Sequence, residues 1–237
     1  SDWSSDVCSS DLLIIDLEGE RGILREASAR IGESPVALEG EVDFSRPEDP
    51  LYRIGVSGRK VPLLRTSGML LQADLDLQLA RSARPEPPLI SGKVGIRDSV
   101  LLVDIDPTSP RTAGGELPQP PFFAVEAEPF AGWRLELDIK GTRGLRLRSQ
   151  YAAAWLSVDF LLDGTLGNPV LVGQVEADEG SLYFPATRLS LSSGTIYITR
   201  DQPERMQLEL AAGGMVASHV ISLQVDGDLE SPQVQLA

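Results

Sequence analysis

Alternation with a period of two, sustained over most of the chain, constrains this sequence more than any other feature. In "LQADLDLQLA", Leu71, Ala73, Leu75, Leu77 and Leu79 point one way and Gln72, Asp74, Asp76 and Gln78 the other. In "WRLELDIK", Trp133, Leu135, Leu137 and Ile139 oppose Arg134, Glu136, Asp138 and Lys140. "GLRLR" repeats the split through Leu145 and Leu147, "MQLEL" through Met206, Leu208 and Leu210, and "HVISLQVD" through Ile221, Leu223 and Val225. A strand gathers such residues on one face, whereas a helix scatters them around its circumference. Aspartate is depleted from strands, so pattern and not propensity carries this assignment.

The run "YAAAWLSVDFLLDG" tempts a helix reading through its alanines. Yet Ala152, Ala154, Leu156, Val158, Phe160 and Leu162 share one strand face, which predicts a strand of roughly 40 Å at about 3.3 Å per residue. "FSRPEDP" and "ARPEPP" read as turns or short loops. The stretch 107–121, "PTSPRTAGGELPQPP", has no period and is dense in proline and glycine. It is expected to be a flexible loop inserted between strands of one sheet, because the same kind of pattern resumes beyond it. The expected organisation is therefore a β-sheet segment over 13–106, the loop 107–121 and a second β-sheet segment over 122–237.

Residues 1–12, "SDWSSDVCSSDL", fit none of this. They lack the basic and apolar regions of a signal peptide. Residues 2–12 resemble the translation of a sequencing adapter, so they are set aside as a disordered artefact. The only cysteine, Cys8, leaves with them, and with it any thiolate or disulfide chemistry. So do Asp2, Asp6 and Asp11, which lowers the magnitude of the formal charge of −14 by three. The balance remains acidic, which argues against nucleic acid as a partner, since that needs a clustered basic surface. No stretch has the roughly 20 apolar residues of a membrane-spanning helix. With the leading residues artefactual, the chain is expected to be a fragment whose own N-terminus, with any anchor or signal, lies upstream.

Catalysis finds little support. His219 is the only histidine, and a triad or zinc site needs partners around it. No nucleophile elbow, phosphate loop or metalloprotease motif is present. The pairs Asp74/Asp76, Asp104/Asp106 and Asp226/Asp228 could suggest a carboxylate dyad or a calcium site, but the solvent face of an acidic strand produces such pairs by chance. Trp133, Trp155, Tyr183 and Tyr197 could serve a membrane interface or stack on sugars; Tyr183 and Tyr197 are better read as equivalent packing positions. The expectation is a protein that is not an enzyme, with no cofactor and no metal.

The chain also echoes itself. "DGTLGNP" at Asp163 matches "DGDLESP" at Asp226, "GSLYF" at Gly180 matches "GTIYI" at Gly194, and Gly-x-Val recurs at Gly40, Gly92 and Gly173. Such echoes suggest a sheet that grows by adding similar hairpins. A long sheet with one apolar face must have that face covered, by a second sheet or by closure. No helix pattern offers a cover, and aromatics at 5% are thin for a sandwich core. A sheet curled into a trough, lined by its own apolar face, remains.

Residues 163–236 add a resemblance. The order of "DGTLGNP", "GQV", "GSLYF", a leucine-bearing strand ending in "GTIYI", then "QPE" and a closing "DGDLESP" resembles the C-terminal domain of the TamB (translocation and assembly module) family, among the AsmA-like envelope proteins. Over 13–149 only the general strand style agrees. The C-terminal tail usual in the family has no counterpart before Ala237, and no role of that tail is carried over. The resemblance implies an all-β, elongated sheet curled into a U-shaped apolar groove. It implies a protein anchored in the inner membrane through an N-terminal helix and crossing the periplasm of a diderm bacterium. The cargo would be phospholipid acyl chains, and the outer-membrane partner a BamA-type barrel. On that reading Leu75, Leu77, Leu135, Leu137, Val158, Phe160, Leu208, Leu223 and Val225 line the groove, and Gly164, Asn168, Pro169, Gly173, Gly180, Gly194, Gly227 and Pro232 are family-motif turns. The alternative is a secreted repetitive β-protein, either an adhesin or a carbohydrate-binding solenoid.

Overall fold

In the computed structural model the described residues are 12–102, 124–125, 127–184, 187–216, 219–229 and 231–237, with side chains described for all of these except 12–15, 26, 203, 204 and 216. Residues 1–11 of the leader read as an artefact, and the expected loop 107–121, lie outside them.

Fourteen strands form one mixed sheet, and no helix occurs among the described residues. In chain order they are β1 (Leu12–Glu18), β2 (Arg21–Ile31), β3 (Ser34–Asp43), β4 (Leu51–Arg65), β5 (Met69–Arg81), β6 (Leu89–Ile96) and β7 (Ser99–Leu102), then β8 (Arg134–Arg148), β9 (Ala152–Thr165), β10 (Asn168–Phe184), β11 (Thr187–Thr199), β12 (Gln202–Val216), β13 (His219–Asp228) and β14 (Gln233–Leu236). The sheet order follows the chain order. Pairs are antiparallel except at β8, which runs parallel to β6 and β7. Strands on the two sides of residues 103–123 are thus hydrogen-bonded neighbours in one sheet. The predicted long strand is β9, and "FSRPEDP" and "ARPEPP" join β3 to β4 and β5 to β6.

β6 and β7 are one strand interrupted at Arg97 and Asp98, since both pair with β5 on one side and β8 on the other. An interruption leaves ladder groups unpaired, and an unpaired buried polar group is costly. Ser99, only 1% exposed, closes the gap. Its hydroxyl accepts the Gln72 N–H at 2.9 Å, and the carbonyl oxygens of Gln72 and Arg97 lie at 3.1 and 3.0 Å to receive its proton. Ser99→Ala should therefore lower stability by about 1–2 kcal/mol, read as a lower urea midpoint with unchanged slope; an unchanged midpoint would show that the hydroxyl bridges nothing of value.

The strands are not flat. Register slips occur in β4 between Gly58 and Val61, in β8 between Gly141 and Leu145, in β10 between Ala177 and Glu179, and in β11 between Leu191 and Ser193. With the break at Arg97–Asp98 they form a line running across the strands. Bulges sharpen local twist and bend a sheet, so this line is a crease. Polar groups hold it. The Lys60 N–H donates to the Asp74 carboxylate at 2.9 Å, and the Arg143 N–H donates to Ser157 Oγ at 2.9 Å. Both residues have left-handed backbones, at φ 51° and 48°. Ser157 in turn donates to Asp178 at 2.7 Å.

The crease also exposes a duplication. Gly58 pairs with Leu75 and Ile54 with Leu79; eighty-three residues on, Gly141 pairs with Val158 and Leu137 with Leu162. The β4–β5 and β8–β9 hairpins share register and bulge position. In the next strand, Gly92 pairs with Leu77 as Gly173 pairs with Phe160. The unit β4–β5–β6 is therefore repeated as β8–β9–β10.

Candidate functional site

Residues opposite one another in neighbouring strands share a face, so the registers trace the apolar face. One row runs Leu38, Val56, Leu77, Gly92, Leu137, Leu162 and Leu171. The next runs Val36, Gly58, Leu75, Val94, Ile139, Phe160, Gly173, Ile198 and Met206. A third runs Gly141, Val158, Val175, Ile196, Leu208 and Gly227. Toward the last strands, Leu210 meets Val225 and Val234, and Ala212 meets Leu223 and Leu236. Hydrogen-bonded register thus carries one apolar face from β2 to β14. At about 4.8 Å per strand spacing the whole sheet measures roughly 60 Å across its strands.

All nine residues expected to line a groove lie on this face. Leu135 and Val158 are buried, at 6% and 9% exposure, and the other seven are half-buried. Phe160 packs with Leu75, Leu77, Ile139 and Val175 against a buried centre of Ala73, Val94, Ile96 and Val158. The alternation alone did not single out that centre. Its signal was glycine: Gly141 and Gly144 in β8 leave a gap that Ile96 fills, and a Cβ on Gly141 would lie 2.9 Å from Ile96 Cβ.

Among the described residues every strand belongs to the one sheet, so no second sheet covers the face. Among the described residues β10 and β12, which are not sheet neighbours, approach each other closely across β11. Their Cα atoms come within 8 Å, against about 9.6 Å for two flat strand spacings. The sheet bends sharply there.

The eight family-motif glycines, asparagine and prolines divide into two groups. Gly164, Asn168 and Pro169 flank the β9–β10 turn, and Gly227 and Pro232 flank the β13–β14 turn. Gly164 and Gly227 have φ of 92° and 111°, so the repeated Asp-Gly pair marks one backbone geometry used twice. Gly173, Gly180 and Gly194, by contrast, lie inside strands and are not turns. Gly173 and Gly92 take φ of 144° and 134°. A Cβ on either would come within 2.7 Å of Phe160 Cα or 2.9 Å of Leu77 Cα. A Cβ on Gly40 would come as close, at 2.9 Å, to Ile54 Cα. The recurring Gly-x-Val therefore marks where one strand presses onto its neighbour.

The opposite face carries the charges. Lys140 lies 3.5 Å from Asp138 and 3.7 Å from Asp159, and Arg97 lies 3.1 Å from Asp74. Lys60 bonds Asp98 at 2.7 Å, and this bond, then the Lys60 charge, holds the Asp98 carboxyl below the ordinary carboxylate range. Arg143 and Arg146 stand over the Trp155 ring at 5.7 and 5.0 Å. Tyr183 and Tyr197 both sit on this face, three residues after a glycine of the apolar face. They differ in partner: Arg188 lies over Tyr183, whereas Tyr197 donates to Glu209 at 2.6 Å. Trp133 precedes β8 and meets Phe130 edge to face at 5.0 Å. Asp74 is engaged in structural bonds, and His219 is an exposed residue opening β13. Among the described residues no group of acids or histidine could hold a metal ion; Asp104 and Asp106 lie outside them.

The described residues thus form one all-β sheet with one apolar and one charged face. The model of the TamB C-terminal domain family matches it over residues 25–237, so the chain belongs to that family. The match takes in most of the segment where only strand style had pointed that way. The family's members are transport and assembly proteins of the diderm envelope, not an enzyme family. No curated protein matches the chain.

Proposed function

We propose that this chain is part of a conduit that carries phospholipid acyl chains along the apolar face of its sheet, between inner and outer membrane, in support of outer-membrane biogenesis and protein assembly. One observation supports the reading: an apolar face continues in register from strand to strand, with no second sheet over it among the described residues. An acyl chain in water costs about 0.8 kcal/mol per CH₂, so a long tail loses on the order of 10 kcal/mol. A continuous lining of Leu, Val, Ile and Ala removes that cost at every position, so a tail can move along it over a nearly level free energy. Leu75, Leu77, Leu137, Phe160, Leu208, Leu223 and Val225 form the accessible lining, and Leu135 and Val158 its floor. The rest of the route, an N-terminal inner-membrane anchor and a BamA-type barrel at the far end, belongs to the same proposal.

Photo-crosslinkers placed at Leu77, Leu208 and Leu223, with controls at Asp76 and Gln224 on the other face, test it in the cell envelope. The expected result is a lipid adduct at the first three and none at the controls. Adducts at neither set, or equally at both, would overturn the groove.

A further inference from the structure

The two ends of the strands differ in chemistry. At one end lie the junctions from β2 to β3, β4 to β5 and β8 to β9, with the last residues of β7, β10 and β12. Residues 58–73, 143–157, 212–216 and 219–223, which build much of this end, contain no Asp or Glu, although Glu33 stands between β2 and β3, and they hold Arg59, Lys60, Arg65, Arg143, Arg146 and Arg148. Lys60 and Arg143 are neutralised by Asp98 and Glu179. Among the described residues no acid pairs with Arg59, Arg65 or Arg148. Arg65 is the last residue of β4 and Arg148 the last of β8. The same end exposes large apolar side chains: Leu102 at 50%, Phe184 at 47%, Met215 at 69% and Val220 at 78%.

The other end also exposes apolar side chains, Leu17, Phe44 and Phe130, but its charge differs. It carries Glu18, Glu20, Glu48, Asp49, Glu86, Asp201 and Asp228, and of its arginines Arg81 and Arg84 pair with Asp49 and Arg200 with Asp163. Cations beside exposed apolar side chains are what an anionic lipid needs, because the headgroup meets the charge while the tail meets the hydrocarbon.

We propose that the arginine-bearing end is the lip over which lipid headgroups pass, and that it selects phospholipids with a net negative headgroup. This rests on the groove reading above. Tails lie on the apolar face and phosphates project past Arg65 and Arg148. The guanidinium fork pairs two phosphate oxygens at once. The acidic end repels the same headgroup, so the lipid has one preferred orientation across the strands.

The test uses the purified chain and two fluorescent lysophospholipids with the same palmitoyl tail, lysophosphatidylglycerol and lysophosphatidylcholine. At low salt the anionic lipid should bind about fivefold or more tightly than the zwitterionic one, and added salt should shrink the ratio. In the double variant Arg65→Gln/Arg148→Gln the ratio should fall towards one, with lysophosphatidylglycerol losing far more than lysophosphatidylcholine, whose phosphate its own choline already balances. Arg65→Lys/Arg148→Lys should restore part of it. Arg46→Gln, at the acidic end, should leave it as it is. A wild-type ratio near one, a ratio that survives the double variant, or equal loss of both lipids in that variant would overturn the lip. Failure of both lipids to bind the wild type would instead overturn the groove itself, and the lip with it.

Discussion

Gly173→Ala should be among the most damaging single-methyl changes this chain can suffer. The added Cβ would stand 2.7 Å from Phe160 Cα and 2.8 Å from the Phe160 ring, both in the neighbouring strand, at a backbone φ of 144°. Strained φ costs about 1–3 kcal/mol, and a backbone clash across the ladder adds to it, so a loss of about 3 kcal/mol or more is expected. The partner atom is main chain and cannot swing aside. Gly95→Ala is the control. Its Cβ would meet Asp74 at 3.7 Å, ordinary contact, and alanine in a strand is no worse than glycine. Urea unfolding should show a much lower midpoint for the first and little change for the second. Equal midpoints would mean that the close approach of β10 to β9 is not a feature of the protein. Gly92→Ala, the equivalent position in the first copy of the repeated unit, should behave as Gly173→Ala does.

Leu208→Arg should abolish lipid capture while leaving the sheet intact. Leu208 is half-buried, between Ile196 and Gly227 on the apolar face. Its arginine would lay a charge across the path of the tail, and glycine on one side leaves the long side chain room to reach solvent. Phe160→Arg, which looks equivalent from sequence, is not. Phe160 packs against the buried centre of the face, so a charge there must be desolvated or must disrupt its neighbours, at a cost of several kcal/mol. It should lose both lipid and stability. Circular dichroism with crosslinking at Leu77 and at Leu223 in each variant separates the outcomes: strand signal kept and the adduct lost on the far side of the substitution for Leu208→Arg, strand signal and both adducts lost for Phe160→Arg. Undiminished adducts at both positions in Leu208→Arg would show that tails do not pass this position.

The difference between these two residues shows what the sequence could tell and where it stopped. Period-two alternation placed Leu75, Leu137, Phe160 and Leu208 on one face because strand side chains alternate strictly. It could not rank them, because exposure depends on how neighbouring strands bend, and bending comes from the bulges. In β10 the apolar positions are Val175 and Ala177, then Gly180 and Leu182: the phase slips by one residue at Asp178. In β11 it slips after Leu191. Single slips look like noise until the neighbouring strand shows a slip at the same level.

The repeats follow the same logic. "DGTLGNP" and "DGDLESP" kept their letters because a positive φ at Gly164 and Gly227 demands glycine. The larger duplication did not, because a burial pattern tolerates many side chains. Lys60 became Arg143, Asp74 became Ser157 and Leu77 became Phe160, while register and bulge stayed. Letters survive where the backbone is constrained and drift where only a face must stay apolar. That is also why the resemblance was strongest after Asp163 although the family match begins at residue 25.

The single parallel joint in the sheet has a kinetic meaning. Every antiparallel neighbour pair is closed by a short turn, so each can zip as a local event, in microseconds if it behaves as an isolated hairpin does. β6 and β7 can meet β8 only after the chain from residue 103 to residue 133 has looped back, and that closure costs entropy before any bond repays it. On this topology the strands before the joint and those after it are expected to pair among themselves first, with their union the later step. Until then the exposed edges of β6 and β8 are the places where a nascent chain is most open to pairing with the wrong partner.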